Sequence, residues 1–274
     1  MKNQKLIELL DEEYGKFIDK LKEINFYKSM IRNSKKETLK NLVQQKEESA
    51  QIAQNIPDFE LFKMSNLVYK NIQGRITGLG FVDKNIDEVI ESIEFQHNKQ
   101  YQWFLVDIFE LYIKFVENSY LKIENKYTKL FTFPNKEKKA YFNIIKKLRE
   151  KDSLLNQFEV GNFYDRDINY NHYIEMIKSL RHAIVHQQGS STNVNEIYTE
   201  MEKYSKDGLD GNFEKIISIY FGTGKFSNMI CLNEIFKSEN RCSDRLGYLI
   251  GIIIVHSELI LNSFKRILMD MEEN

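Results

Sequence analysis

The sequence has little cysteine, proline or glycine, and each scarcity excludes a class of structure. Its two cysteines, Cys231 and Cys242, are too few for a disulfide framework or a cysteine-bound metal site, which fits a reducing compartment. Because 274 residues contain only two prolines and 12 glycines, few positions interrupt a helix. The sequence therefore predicts long helices, and its 19 Phe and 15 Tyr supply material for a substantial core.

The chain also lacks a long apolar run and a secretion leader. The longest apolar run, residues 249–255, is far shorter than the roughly 18 residues that cross a membrane. No basic segment followed by an apolar one opens the chain, so we do not expect secretion. These two absences predict a cytoplasmic protein with no membrane partner.

An excess of charge of one sign is missing as well, since 39 Lys and Arg stand against 40 Asp and Glu. This balance excludes a generally basic nucleic-acid binder. Residues 122–151, however, contain ten Lys or Arg and three Glu, with Tyr127, Phe131, Phe133 and Tyr141 between them. Basic groups track phosphates and aromatic rings stack on unpaired bases. The candidate RNA-binding residues are Lys136, Lys138, Lys139, Lys146 and Lys147. A solvated loop and helix face is the alternative interpretation.

The first 72 residues are typical of a helical hairpin. Apolar residues follow coiled-coil-like spacing through residues 10–31, with Lys28 in one apolar slot. The polar residues 33–36 are expected to turn the chain before a second helix over residues 37–55. This N-terminal hairpin is either a module that binds a protein partner or a second copy, or simply two packing helices.

Three glycines within residues 74–80 mark the clearest break in the chain. The Lys-Ser or Lys-Thr pair that completes a phosphate-binding loop is missing, and no strand pattern is evident before the glycines. We therefore interpret this segment as a linker or turn. It divides an N-terminal extension, residues 1–72, from a main domain, residues 81–274.

Most of the main domain has a helical pattern. Two apolar runs within residues 214–233 differ, because they flank Gly222-Thr223-Gly224 and predict a small β-hairpin insertion. An irregular aromatic loop is expected over residues 152–169. The fold class is therefore mainly α, an antiparallel helical bundle. Its helices are expected over residues 85–125, 137–150, 173–188 and 244–269.

Residues 179–188, Ser-Leu-Arg-His-Ala-Ile-Val-His-Gln-Gln, carry the strongest indication of chemistry. On a helical wheel, at about 100° per residue, Arg181 lies in the middle of an apolar stripe. A charge centred on a buried stripe costs several kcal/mol unless it is paired or lies at an interface. We therefore expect a partner for Arg181. Glu110 either reaches Arg181 or lies at the surface. The stripe consists of Ile174, Ile177, Ile184 and Val185.

His182 and His186 lie together on the flank of that stripe, one helical turn apart. Because the segment is apolar almost all round, we expect its helix to be buried. Three interpretations of the histidines stay open. They are structural residues near a helix end, or they bind a metal ion with a third ligand from another helix. In the third, His186 moves a proton while Arg181 holds a phosphate group.

The segment also resembles the signature of HEPN domains, which is an Arg, a polar residue directly after it, and a His after four to six intervening positions. Arg181, His182 and His186 match these three positions. The resemblance implies an all-helical bundle, often a homodimer that brings two motifs together at its interface. It further implies metal-independent endoribonuclease activity, frequently in toxin–antitoxin or antiviral systems. Some toxins of the family carry Tyr where this chain has Gln188, so we expect no antitoxin that modifies such a Tyr.

The sequence therefore predicts a metal-independent endoribonuclease that cleaves single-stranded RNA, needs no cofactor and acts as a homodimer. Its expected catalytic residues are Arg181 and His186, with His182 orienting the site or binding substrate. The ribose 2′-hydroxyl would attack the adjacent phosphorus and leave a 2′,3′-cyclic phosphate. The alternative is a non-catalytic helical module that binds RNA, a nucleotide or a protein partner.

Overall fold

The computed structural model describes residues 3–53, 63–64, 68–70, 75–78, 82–83, 86–127, 140–160, 169–187, 194–202, 212–223, 227–233 and 244–273. Within these ranges the chain is mainly helical, which confirms the predicted class. The helices are α1 (Gln4–Ala53), α2 (Ile86–Glu124), α3 (Tyr141–Lys151), α4 (Ser153–Val160), α5 (Tyr170–Gln187), α6 (Val194–Glu202), α7 (Asn212–Ser218) and α8 (Arg245–Glu273). Short strands between α1 and α2 are β1 (Lys63–Met64), β2 (Val68–Lys70), β3 (Ile76–Gly78) and β4 (Val82–Asp83).

One compact unit combines Met1–Phe26 with Tyr101–Asn274. In this unit α3, α4 and α5 all pack against α8, and α6 contacts both α5 and α7. Aromatic packing joins the start of α1 to the second half of α2, since the rings of Phe17 and Phe115 stack with centroids 5.2 Å apart. The core therefore runs through helices from both ends of the sequence, and buried apolar side chains stabilise it through the hydrophobic effect.

The second unit is Tyr27–Gln100. The later part of α1 and the start of α2 run antiparallel in it, because Lys35 pairs with Glu94 while Lys46 pairs with Asp87. Beyond these helices, β1 pairs with β4 and β2 with β3, both antiparallel, so the inner pair is nested within the outer one. A small core between the helices consists of Leu42, Ile86 and Val89.

The turn expected at residues 33–36 is wrong, because α1 continues through them as a single helix of 50 residues. Residues 33–36 contain neither Gly nor Pro, and polar residues alone disfavour a helix only weakly. The Thr38 hydroxyl donates a 2.9 Å hydrogen bond to the Ser34 carbonyl, within the continuous helix. Along the coiled-coil-like spacing, Leu10, Phe17 and Leu21 are buried, and so is Lys28. The other apolar residues of the series are half-buried, namely Tyr14, Ile24 and Ile31.

The domain boundary expected between residues 72 and 81 also differs from the observed division. The two units meet in sequence at residues 26–27 and 100–101, inside α1 and α2. The segment interpreted as a linker or turn contains β3, and this strand pairs with β2. The second arm of the N-terminal hairpin is therefore the start of α2 and not residues 37–55.

Two expectations about the main domain are corrected. The irregular loop expected over residues 152–169 begins with α4, which Asp152 caps by accepting a 3.1 Å hydrogen bond from the Leu154 N–H. The β-hairpin expected over residues 214–233 starts as helix α7. Between residues 219 and 233 the described backbone forms one antiparallel bridge, Phe221 with Ile230. Among the described residues the insertion therefore keeps a single bridge of the expected hairpin.

The last helix, α8, is long and apolar enough to cross a membrane by length and composition. More than half of its most apolar stretch is buried inside the protein. The core helix of a soluble protein passes the same test, so the finding is weak evidence. The cytoplasmic location stays a prediction.

Candidate active site

The motif helix α5 begins at a polar cap and buries one face. The side-chain oxygen of Asn169 accepts a 3.2 Å hydrogen bond from the His172 N–H, as expected of an N-cap residue. The helix is not buried all round as expected, because His182 and His186 are both exposed. The predicted stripe is buried at Ile174, Ile177 and Ile184 and half-buried at Val185.

Arg181 has the partner that its place on the apolar stripe required. Its Nη2 atom forms a hydrogen-bonded ion pair with Oε1 of Glu110 on α2. The side chains of Arg181 and Glu110 are 29% and 38% exposed, so water reaches both. The pair therefore holds one arm of the guanidinium in place without taking its charge away from the solvent.

The two histidines lie side by side on the exposed flank of α5. Their ring centroids are 4.4 Å apart and their planes are inclined by 44°. From Arg181, His182 lies about 100° and His186 about 140° around the helix, at 3.6 residues per turn. The helix therefore brings the two imidazoles together and separates His186 from Arg181, whereas the sequence predicted that Arg181 and His186 act on one phosphate group.

A cleft of about 1060 Å³ lies beside Arg181. Residues of α2, α3, α5 and α6 line it, so four helices of one unit build it. Arg181 and His182 are among these residues, whereas His186 is not. Pockets of about 300–1,000 Å³ hold ligands of drug size, so this one has room for a nucleotide.

Carboxylates outnumber permanent cations among the described residues of the cleft, giving a formal charge of −2. This balance disfavours a polyanion except close to Arg181. One carboxylate has a structural role, because Glu117 accepts a 3.2 Å hydrogen bond from the Tyr141 N–H at the start of α3. There the helix dipole favours a negative charge. The charged residues are Glu110, Glu117, Glu196, Glu200, Lys178 and Arg181.

Tyr141, on α3, also lines the cleft. Its sequence context indicated only an aromatic residue within a basic segment. Its side chain is buried, and its hydroxyl has no hydrogen-bond partner among the described residues. Burial raises the pKa of Tyr141 well above its ordinary value, Glu175 and Glu110 raise it further, and Arg181 opposes them. The hydroxyl therefore stays protonated and able to donate at physiological pH.

A buried polar network lies next to Tyr141. The Tyr112 hydroxyl and Nδ1 of His256 are 2.8 Å apart, and Nε2 of His256 lies 2.7 Å from Oε1 of Glu159. Arg149 donates to both carboxylate oxygens of Glu159. The rings of Tyr112 and Tyr141 touch, with centroids 6.0 Å apart. Local patterns gave no signal for this network, because its members come from α2, α3, α4 and α8.

The network predicts a definite dependence of stability on pH. Burial alone would raise the pKa of Glu159, but hydrogen bonds and charges from His256 and Arg149 outweigh it and lower the pKa to about 2. An unfolded Glu titrates at 4.5. The stabilisation is therefore complete above pH 4.5 and is lost as the pH falls toward 2, by about 3 kcal/mol.

Urea unfolding between about pH 6 and pH 3 measures this dependence. Wild type should lose free energy of unfolding more steeply with acid than Glu159→Gln, since the amide does not titrate. Parallel curves for the two proteins would show that Glu159 does not carry the effect.

The five lysines predicted to bind RNA have different outcomes. Lys136, Lys138 and Lys139 lie outside the described residues. On α3, Lys146 is exposed, and Lys147 pairs with Glu150 at 2.6 Å. Neither Lys146 nor Lys147 is among the cleft residues. Within the described part of the chain, the basic segment therefore adds no lysine to the cleft.

Among the residues that the structure describes, the metal interpretation finds no third ligand. In the part of the chain that the structure describes, no group of three His, Cys, Asp or Glu is placed to hold a metal ion. His182 and His186 therefore remain a pair of exposed imidazoles on one helix.

No protein-family model, no curated protein and no solved structure matches this chain. The resemblance to HEPN domains therefore rests on the motif residues of α5.

Proposed function

We propose that this protein is a metal-independent endoribonuclease that cleaves single-stranded RNA. The observation that carries the proposal is that Arg181 and His182 line the same cleft, with the ring of His186 against His182. A permanent cation that stabilises a phosphorane and an imidazole that moves a proton suffice for RNA cleavage without a metal. The match of Arg181, His182 and His186 to the HEPN signature supports the same activity.

The proposed reaction is an internal transesterification. The imidazole of His182 takes the proton of the ribose 2′-hydroxyl, and the resulting oxygen attacks the adjacent phosphorus. The bond from phosphorus to the 5′-oxygen breaks, and a protonated His186 returns a proton to that oxygen. The products are a 2′,3′-cyclic phosphate and a 5′-hydroxyl. Arg181 stabilises the charge that develops on the phosphoryl oxygens.

A homodimer is part of the proposal. His186 is exposed and lies outside the cleft of its own chain, so a second copy bound at this flank of α5 would bring additional imidazoles to the RNA. The implied HEPN arrangement, with two motifs at one interface, supports this geometry. Sedimentation of the purified protein measures the oligomeric state directly.

The activity is tested with purified protein and a single-stranded RNA oligonucleotide in excess EDTA. We expect cleavage in EDTA, a 2′,3′-cyclic phosphate on the upstream product, and no cleavage of the DNA oligonucleotide of the same sequence. DNA resists because it lacks the attacking 2′-hydroxyl. Cleavage that requires a divalent ion, or DNA cut as fast as RNA, would contradict the mechanism.

A second candidate is a non-catalytic helical module that binds a basic segment of a protein partner. The excess of carboxylates in the cleft favours it, because clefts lined by one sign of charge attract the opposite sign. This candidate predicts that RNA stays intact in the same assay. It also predicts that a Lys- and Arg-rich peptide binds wild type and loses affinity to Glu200→Gln.

A further inference from the structure

Two hydrogen-bond donors of the cleft residues have no acceptor among the described residues. They are the hydroxyl of Tyr141 and Nε of Arg181, and both atoms are buried. The Tyr141 side chain as a whole is more than nine-tenths buried, at 8% exposure. Buried polar groups are almost always hydrogen-bonded, so two exceptions beside one cleft require an explanation.

The contacts that hold these two residues do not use the two donors. The Tyr141 ring packs edge to face against Phe109 and Tyr112, with centroids 5.8 and 6.0 Å away. Glu110 engages Arg181 through Nη2, so the N–H at Nε is not used by that pair. Tyr141 is held by α3 and Arg181 by α5, and both residues line the cleft. Two residues that carry unpaired donors, on different helices, therefore line the same cleft.

We propose that Tyr141 and Arg181 form a binding site for a phosphoryl group, in which Tyr141 Oη–H and Arg181 Nε–H donate to two of its oxygens. The ligand class is a nucleotide phosphodiester, and for this assignment the site rests on the proposed ribonuclease function. Tyr141 is then a substrate-binding residue that lies outside the Arg-His motif.

A charged oxygen fits these donors better than a neutral one. A guanidinium and a phosphodiester carry opposite charges, and a hydrogen bond between two charged groups is stronger than one between neutral groups. Glu110 competes with the phosphoryl group for the same guanidinium. Removing the charge of Glu110 should therefore strengthen binding, although its carboxylate also holds Arg181 in place.

The test is calorimetric titration of the full chain with a deoxydinucleotide, which has a phosphodiester but no 2′-hydroxyl and is not cleaved. Tyr141→Phe removes only the hydroxyl and should weaken binding about tenfold, as expected for the loss of one hydrogen bond to a charged group. Glu110→Gln should tighten binding several-fold. The matched control is Tyr27→Phe, at a tyrosine that is 52% exposed in the other unit, and it should bind like wild type.

Thermal unfolding separates this binding role from a structural one. Since the Tyr141 hydroxyl has no partner among the described residues, Tyr141→Phe should unfold at the wild-type temperature or above it. Weaker binding at an unchanged unfolding temperature supports the site. A wild type that does not bind the deoxydinucleotide overturns it, and so does equal affinity in Tyr141→Phe.

The two proposals fail in distinguishable ways. RNA cleavage by wild type together with normal deoxydinucleotide binding by Tyr141→Phe removes the phosphoryl site and leaves the ribonuclease. Binding that depends on Tyr141, in a protein that cleaves no RNA, leaves the phosphoryl site and removes the ribonuclease.

Discussion

Replacing Glu159 with alanine is expected to lower the free energy of unfolding by about 3 kcal/mol. Glu159 is fully buried, and its carboxylate binds both His256 and Arg149. Breaking a buried ion pair costs about 3–5 kcal/mol, because the remaining charge loses its partner. We expect the lower end of that range, since the Arg149 side chain is 28% exposed and water reaches it.

Chemical denaturation of wild type and two variants measures this effect. The matched control is Glu214→Ala, at an exposed Glu on α7, which should change the free energy of unfolding by less than about 0.5 kcal/mol. Glu159→Gln keeps the shape of the side chain and should lie between the control and Glu159→Ala. Equal losses in Glu159→Ala and Glu214→Ala would show that the buried network contributes nothing to stability.

Replacing Arg181 with alanine is expected to lower kcat/KM for RNA cleavage in EDTA by about 100-fold or more, the usual effect of removing one donor that stabilises a developing oxyanion. Its ion pair with Glu110 is partly exposed, so its loss should cost no more than about 1 kcal/mol of stability. Arg181→Lys retains a charge but loses the planar fork of donors, and should recover only part of the activity. Initial cleavage rates on a fluorescent RNA give these values.

The same assay ranks the two histidines and includes a control. His182→Ala should lose more activity than His186→Ala, because His182 is the histidine that lines the cleft. Arg32→Ala, at an exposed Arg of α1, should retain full activity. An active Arg181→Ala would end the ribonuclease proposal. An active His182→Ala beside an inactive His186→Ala would transfer the role of general base from His182 to His186.

The long helices of the main domain followed from local pattern alone. The expected helix over residues 85–125 is α2, at Ile86–Glu124, and the one over 244–269 is α8, at Arg245–Glu273. Each stretch repeats its apolar residues at helical spacing over many turns. Local sequence is therefore enough to predict the helix, and no knowledge of the tertiary structure is needed.

Local sequence pattern failed to predict helices whose course or start depends on a few residues. The polar residues 33–36 suggested a turn, yet without Gly or Pro the helix continued, because α2 provides a packing partner along that part of α1. At α4 the deciding residue was Asp152, an N-cap within a stretch that otherwise reads as irregular. Helix caps and packing partners outweigh weak helix propensities, and each can depend on a single residue.

The sequence predicted part of the candidate site and missed the rest. The apolar surroundings of Arg181 required a partner, and the structure shows Glu110 in that place, still 38% exposed. Nothing local indicated that Tyr141 lines the same cleft or that His182 lies closer to the cleft than His186. Tyr112 and His256 bond across 144 residues of sequence, a distance at which spacing rules give no information.

By itself, the order of the amino acids determined a mainly helical protein and marked α5 as the candidate site, because apolar periodicity and the need to pair a charge are local properties. Only the tertiary structure decided which groups meet. It set Glu110 against Arg181, placed Tyr141 and His182 in one cleft, and buried Glu159 between His256 and Arg149. The physical reason is that the packing of five helices brings together residues that are far apart in sequence. Burial between these helices removes water from polar side chains, so that they pair with each other or keep an unpaired donor. The helices are α2, α3, α4, α5 and α8.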